Sequence, residues 1–155
     1  MTDENSELLI PAVSAEVPPE GLTIGEAAVA VGLSVDTLRY YERAGLLLGP
    51  VPRDGVGRRR YGRHDLAWLS GLVMLRATGM AIADVRVIAD LSRRPGTERQ
   101  RLLVLEEHRD RVLADLARTR RHLAALDAKI STYRDVTGAA GATNETDHPD
   151  GDDDR

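Results

Sequence analysis

The side chains best suited to chemistry are arginines and tyrosines gathered between Thr23 and Tyr61. Arg39, Tyr40, Tyr41 and Arg43 fall close together, and Arg53, Arg58, Arg59, Arg60 and Tyr61 follow. A guanidinium is a permanently charged planar fork that matches a phosphate or the edge of guanine. This set suits holding a polyanion rather than turning over a substrate. There is no phosphate-binding glycine loop, no paired-histidine metal motif and no nucleophile with a base. His108 and His122 lie fourteen residues apart, too far for one chelate, and with His148 are expected to be exposed. The absence of cysteine excludes disulfides, cysteine-held metals, iron–sulfur clusters and thiol redox sensing. No catalytic residue, no metal and no cofactor is therefore expected.

Two short helices and a hairpin must position these side chains. Thr23-Ile24-Gly25-Glu26 has the pattern of a capping box opening the first helix. Ala27, Ala28 and Val31 form its inner face, and Gly32 suits a left-handed stop. Ser34 is a good N-cap for a second helix over about Val35–Ala44, ended by Gly45. Val35 and Leu38 should face inward there, and Asp36, Thr37, Arg39, Tyr40 and Arg43 outward. A helix–turn–helix of this kind can place its second helix in the major groove, although helix pairs in ordinary bundles share the pattern. Pro50-Val51-Pro52 then favours extended backbone, Arg53-Asp54-Gly55-Val56-Gly57 signals a turn, and Arg58–Tyr61 reads as a basic strand. Alternation puts Arg58 and Arg60 on one face and Arg59 and Tyr61 on the other. The hairpin reads as a β-wing beside the recognition helix.

The net charge of −4 hides an uneven distribution. Residues 1–20 carry −5 and residues 137–155 carry −5, leaving +6 on residues 21–136. The part expected to fold is therefore basic, as a nucleic-acid binder should be. Four segments are expected: a disordered acidic arm over 1–20, a winged helix-turn-helix domain over 21–94, a dimerisation helix over 97–136 and a disordered acidic tail over 137–155. No apolar run reaches a membrane span, and no signal peptide is evident. With no disulfide needed, a cytoplasmic, nucleoid-associated location is expected.

The remaining helices give support and pairing. His64-Asp65 should begin a helix with Leu66, Leu69, Leu72 and Val73 on its stripe, Trp68 packing beside them and Gly79 ending it. Ile82–Leu91 is a shorter, poorly capped helix. Thr97-Glu98-Arg99-Gln100 reads as a second capping box opening the longest helix. There Leu102, Arg109, Leu116, Leu123 and Ile130 take heptad position a, and Leu105, Val112, Thr119, Leu126 and Tyr133 take position d. Eight of these ten are apolar or aromatic, which makes a coiled-coil seam. The expected dimerisation residues are Leu102, Leu105, Val112, Leu116, Leu123, Leu126, Ile130 and Tyr133. The fold class is mainly α, a winged helix-turn-helix DNA-binding domain followed by a long coiled-coil helix.

Thr37-Leu38-Arg39-Tyr40-Tyr41-Glu42-Arg43, Gly45-Leu46-Leu47, Pro52-Arg53, Gly57-x-Arg59-x-Tyr61 and Asp65-Leu66 fall in one order. In that combination, over about residues 22–134, the chain resembles the MerR family of transcriptional regulators. The resemblance implies that Arg39, Tyr41, Arg53, Arg58 and Arg59 contact DNA, with Arg58 standing where the family has a wing aromatic. The full DNA-facing set expected is Thr23, Ser34, Thr37, Arg39, Tyr40, Tyr41, Arg53, Arg58, Arg59, Arg60 and Tyr61. The resemblance further implies an antiparallel homodimer that distorts the spacer of a pseudo-palindromic promoter for RNA polymerase. Without cysteines the family's metal and thiol sensors have no counterpart, and a separate drug-binding domain needs more residues than follow Val136. A small organic effector, a modification or no effector all remain open. The competing readings are an architectural, excisionase-like DNA-bending protein, which needs no long helix, and a coiled-coil adaptor whose basic hairpin binds an acidic protein.

Overall fold

The computed structural model describes residues 16–142; readings that fall on 1–15 and 143–155, including Leu8–Ile10 and the acidic end, lie outside the described residues. Five helices follow one another: α1 (Ile24–Val31), α2 (Val35–Arg43), α3 (Arg63–Ala77), α4 (Ile82–Ser92) and α5 (Glu98–Ala142). The fold is mainly α, as expected. A compact unit runs to Val112, and the second unit is the chain from Leu113 onward.

The compact unit is built on α1, which packs on both α2 and α3, while α3 also packs on α4. The capping box at Thr23 is present: its hydroxyl accepts from the Glu26 amide, and the Glu26 carboxylate accepts from the Thr23 N–H. Those bonds, the Thr23 N–H first, hold the Glu26 carboxyl below its ordinary range. Gly32 closes α1 in the left-handed region at φ 70°, and Ser34 caps α2 through the Thr37 amide. Leu38, Leu46, Tyr61, Leu66, Leu69, Leu72, Met80 and Val85 make the fully buried centre. Trp68 packs against this core and donates its indole N–H to the Leu46 carbonyl at 2.8 Å.

The structure corrects several expectations. The end of the acidic arm is ordered: Val17 packs against the core, and the Gly21 N–H donates to the Pro18 carbonyl. Thr97 does not box with Gln100. Its buried hydroxyl shares its proton between the Leu91 and Arg94 carbonyls, so it finishes α4 instead of opening α5. His108 is buried, not exposed, and pairs through Nε2 with the Thr78 hydroxyl at 2.8 Å. Arg101, Val104, His108 and Arg111 share the face of α5 turned to its own domain, where Val104 packs on the core and Arg111 meets Asp84 at 2.7 Å. Finally, α5 continues past Val136 to Ala142. It runs through Gly138 and Gly141, each costing about 1 kcal/mol relative to alanine.

Candidate nucleic-acid interface

A basic face forms where α2 and the hairpin after it come together. α2 offers Arg39, Tyr40 and Arg43 outward, with Leu38 buried beneath. Arg39 pairs only loosely with Asp36 at 3.5 Å, across one helical turn. Such an exposed pair is worth a few tenths of a kcal/mol, so the guanidinium is free to exchange it for a stronger acceptor.

The hairpin over residues 50–61 forms without regular strands. Arg53 and Arg59 make one isolated antiparallel bridge, and the Arg60 N–H donates to the Pro52 carbonyl at 2.8 Å. Pro50 and Pro52 have no N–H to give, so the ladder expected of a β-wing cannot extend. Asp54 holds the tip instead. One carboxylate oxygen accepts from the Val56 and Arg58 amides at 3.1 and 2.9 Å. The other accepts from Arg58 Nε and Arg60 Nε at 3.1 and 3.2 Å. These bonds, the Arg58 amide above all, pull the Asp54 carboxyl from 3.8 to about 2.

A pH dependence follows from that shift. Asp54 prefers ionisation in the folded tip, so its contribution is complete above pH about 4 and disappears as pH falls toward 2. Amide exchange at Val56 and Arg58 should be unchanged between pH 7 and 4, after correction for intrinsic rates. It should accelerate below that, with the step absent in Asp54→Asn. An equally large step in Asp54→Asn would rule out the carboxylate as its source.

Arg59 crosses from the wing to α2 and bonds Glu42 at 2.5 Å. This hydrogen bond raises the Arg59 pKa further. The pair holds the hairpin against α2, so Arg59 braces the basic face. Arg53 is similarly occupied by the Gly57 carbonyl at 2.7 Å, while Arg58 is far more exposed than Arg59 or Arg60. Alternation holds: Arg58 and Arg60 share Asp54, while on the other face Arg59 reaches Glu42 and Tyr61 enters the core.

Two tyrosines depart from the expected DNA-facing set. Tyr61 is 0% exposed, with its hydroxyl buried and unpaired. Its N–H and carbonyl exchange 2.8 Å bonds with Leu22, which fixes the backbone so that the ring enters the core. Burial pushes its hydroxyl up to about 12. Tyr41 is 6% exposed and packs as core beside Tyr40, at a ring separation of 6.1 Å. Thr23 and Ser34 use their hydroxyls as helix caps, and the Ser34 and Thr37 hydroxyls bond each other at 2.8 Å.

Glu42, Asp54 and Arg93 organise this region, although none of them belongs to the expected DNA-facing set. Asp54 was detectable as an Asp-Gly turn, whose side chain bonds nearby amides. Glu42 and Arg93 act on partners far along the chain, for which no local pattern exists. The eight seam residues of α5 are all exposed: Leu102, Leu105 and Val112 in the compact unit, and Leu116, Leu123, Leu126, Ile130 and Tyr133 beyond it.

A capped helix pair joined by a glycine turn, followed by a braced basic hairpin, defines a winged helix–turn–helix protein. Residues 22–108 match the MerR HTH family regulatory proteins. An uncharacterized HTH-type transcriptional regulator of Haemophilus influenzae is 36% identical over 72% of this chain and 83% of its own. The mercuric resistance operon regulatory protein of Pseudomonas fluorescens is 35% identical over 72% of this chain and 74% of its own. Among solved structures, HiNmlR, described as a MerR family regulator lacking the sensor domain and bound to promoter DNA, superposes with a TM-score of 0.62. It is 35% identical, over 75% of this chain and 92% of its own. The chain belongs to the MerR family of transcriptional regulators.

Proposed function

We propose that two copies of this chain pair through the α5 seam and bind a pseudo-palindromic promoter site. Each α2 enters a major groove, and each wing lies on flanking backbone. The observation that carries this reading is the exposed Arg39–Tyr40–Arg43 face of α2 with a wing braced to it by Arg59 and Glu42. The likeness to a promoter-bound relative supports it. Arg39 reads a base edge, Tyr40, Arg43 and Arg58 engage backbone, and Arg53, Arg59 and Arg60 hold the wing in shape, reaching phosphates from there. The dimer is antiparallel and distorts the spacer between the promoter elements, thereby presenting them to RNA polymerase. Deforming DNA on this scale costs a few kcal/mol, offset by the contacts a bend brings within reach. The protein acts by binding, without catalysis, at the nucleoid in the cytoplasm.

Arg39→Ala tests the assignment. It should weaken binding to the preferred site by about 1–3 kcal/mol and relax selectivity at one position of each half-site. Binding titrations against a randomised-operator library read both effects. An unchanged preferred sequence would mean that α2 does not read bases through Arg39.

A further inference from the structure

We propose that Arg93 is a positioning residue that sets the angle of the reading unit, α2 with its wing, against the start of α5. The inference rests on the reading above, in which two such units must reach two half-sites together. Arg93 caps the end of α4 and opens the Arg93-Arg94-Pro95-Gly96 connector into α5. Its guanidinium reaches back to the loop that leaves α2. Nε and Nη2 donate to the Leu47 carbonyl at 3.2 and 2.6 Å, and Nη2 also donates to the Gly45 carbonyl. Nη1 is held by Asp90.

The Leu46 carbonyl, between those two, accepts from the Trp68 indole. Three consecutive carbonyls are therefore gripped from behind by two side chains, at the point where the recognition helix ends and the wing begins. Among the described residues, Arg93 makes the side-chain hydrogen bonds that join the α4–α5 segment to the α2–wing segment. The connector is itself fastened, since Thr97 bonds the Leu91 and Arg94 carbonyls. A positive group at the C-terminal end of α2 is also favoured by the helix dipole. A forked guanidinium can hold carbonyls on both sides of Leu46 and Asp90 at once; an ammonium is a point donor without that planar span.

The test uses the full-length protein with Arg93→Ala, Arg93→Lys and the exposed neighbour Arg94→Ala. A fluorescence energy-transfer pair on the ends of an operator duplex reports bending at saturating protein. Arg93→Ala should bind the operator about 10- to 100-fold more weakly and bend it less at saturation. Its affinity for unrelated duplex and its salt slope should stay at wild-type values. Arg93→Lys should recover part of the bend, and Arg94→Ala should match wild type. Should Arg93→Ala fail to fold, Arg93→Lys must still show an intermediate bend.

A purely structural role would lower the melting temperature and weaken all DNA equally, leaving the saturated bend intact; that result overturns the proposal. So does a salt slope reduced by about one, which would make Arg93 a phosphate contact. If wild type binds its operator without bending it, the spacer-distortion reading fails. Arg93 is then judged by its selective loss of operator over unrelated duplex, and equal losses on both would reject it.

Discussion

Leu116→Asp combined with Leu123→Asp should convert a dimer into monomers in sedimentation experiments at micromolar protein. Both side chains are exposed on α5 beyond Val112, so the compact unit keeps its core. A lone amphipathic helix has no partner for its apolar stripe and is marginal in water. Two carboxylates in the seam would be desolvated on pairing, with Coulomb repulsion added. Helix content should fall as α5 frays, while the thermal transition of the compact unit stays in place. The effect on DNA should be larger than on stability. Separating two linked reading units removes the effective concentration of the second, about 10²- to 10⁴-fold in affinity for a two-half-site operator. Affinity for one half-site should be unaffected. An intact dimer would mean that the exposed leucines face something other than a second copy.

Gly21→Ala should be the most damaging small substitution in the compact unit. Gly21 lies at φ 78°, where a side chain costs about 1–3 kcal/mol. An added Cβ would also sit 2.9 Å from the Tyr61 carbonyl oxygen, 3.1 Å from its carbon and 3.2 Å from its nitrogen. All three are backbone atoms pinned by the Leu22 bonds, so they cannot swing aside. Together these effects should cost about 3 kcal/mol and lower the melting temperature by roughly 10–20 °C. Gly25→Ala supplies the contrast. Gly25 is helical, with nothing near the position of its added Cβ, and should stabilise α1 by about 0.5–1 kcal/mol. Calorimetry that gave both variants the same sign would refute the account of Gly21.

Local chemistry explains what could be read in the sequence. The Thr23 capping box, the left-handed Gly32 and the Ser34 cap each depend on residues three or four apart, and each lies where its pattern indicates. The long helix was legible because an apolar period can be read without knowledge of what covers it, and its eight seam residues lie exposed. Tyr61 lies in the core and not on the DNA-facing side for a physical reason. Alternation assigns two faces to a strand without saying which one meets the core, and only the pairing with Leu22 decides it. His108 had the same difficulty, since a face turned to its own domain looks like any other flank of a coiled coil. The bonds from Arg59 to Glu42 and from Arg93 to Leu47 span 17 and 46 residues, beyond any motif.

The two bonds between Leu22 and Tyr61 also bear on how the chain assembles. They join the residue just ahead of α1 to the last residue of the wing, so α1, α2 and the hairpin form one closed ring. Closing a ring of that size carries a chain-entropy penalty that nothing local repays. The helices and the Asp54 tip, whose contacts are short-range, should therefore appear early in refolding, and the clasp should form late. In pulse-labelling, the Leu22 and Tyr61 amides should gain protection after those of α1 and α2. The residue at which the domain begins and the residue that ends the wing are then among the last to find their places.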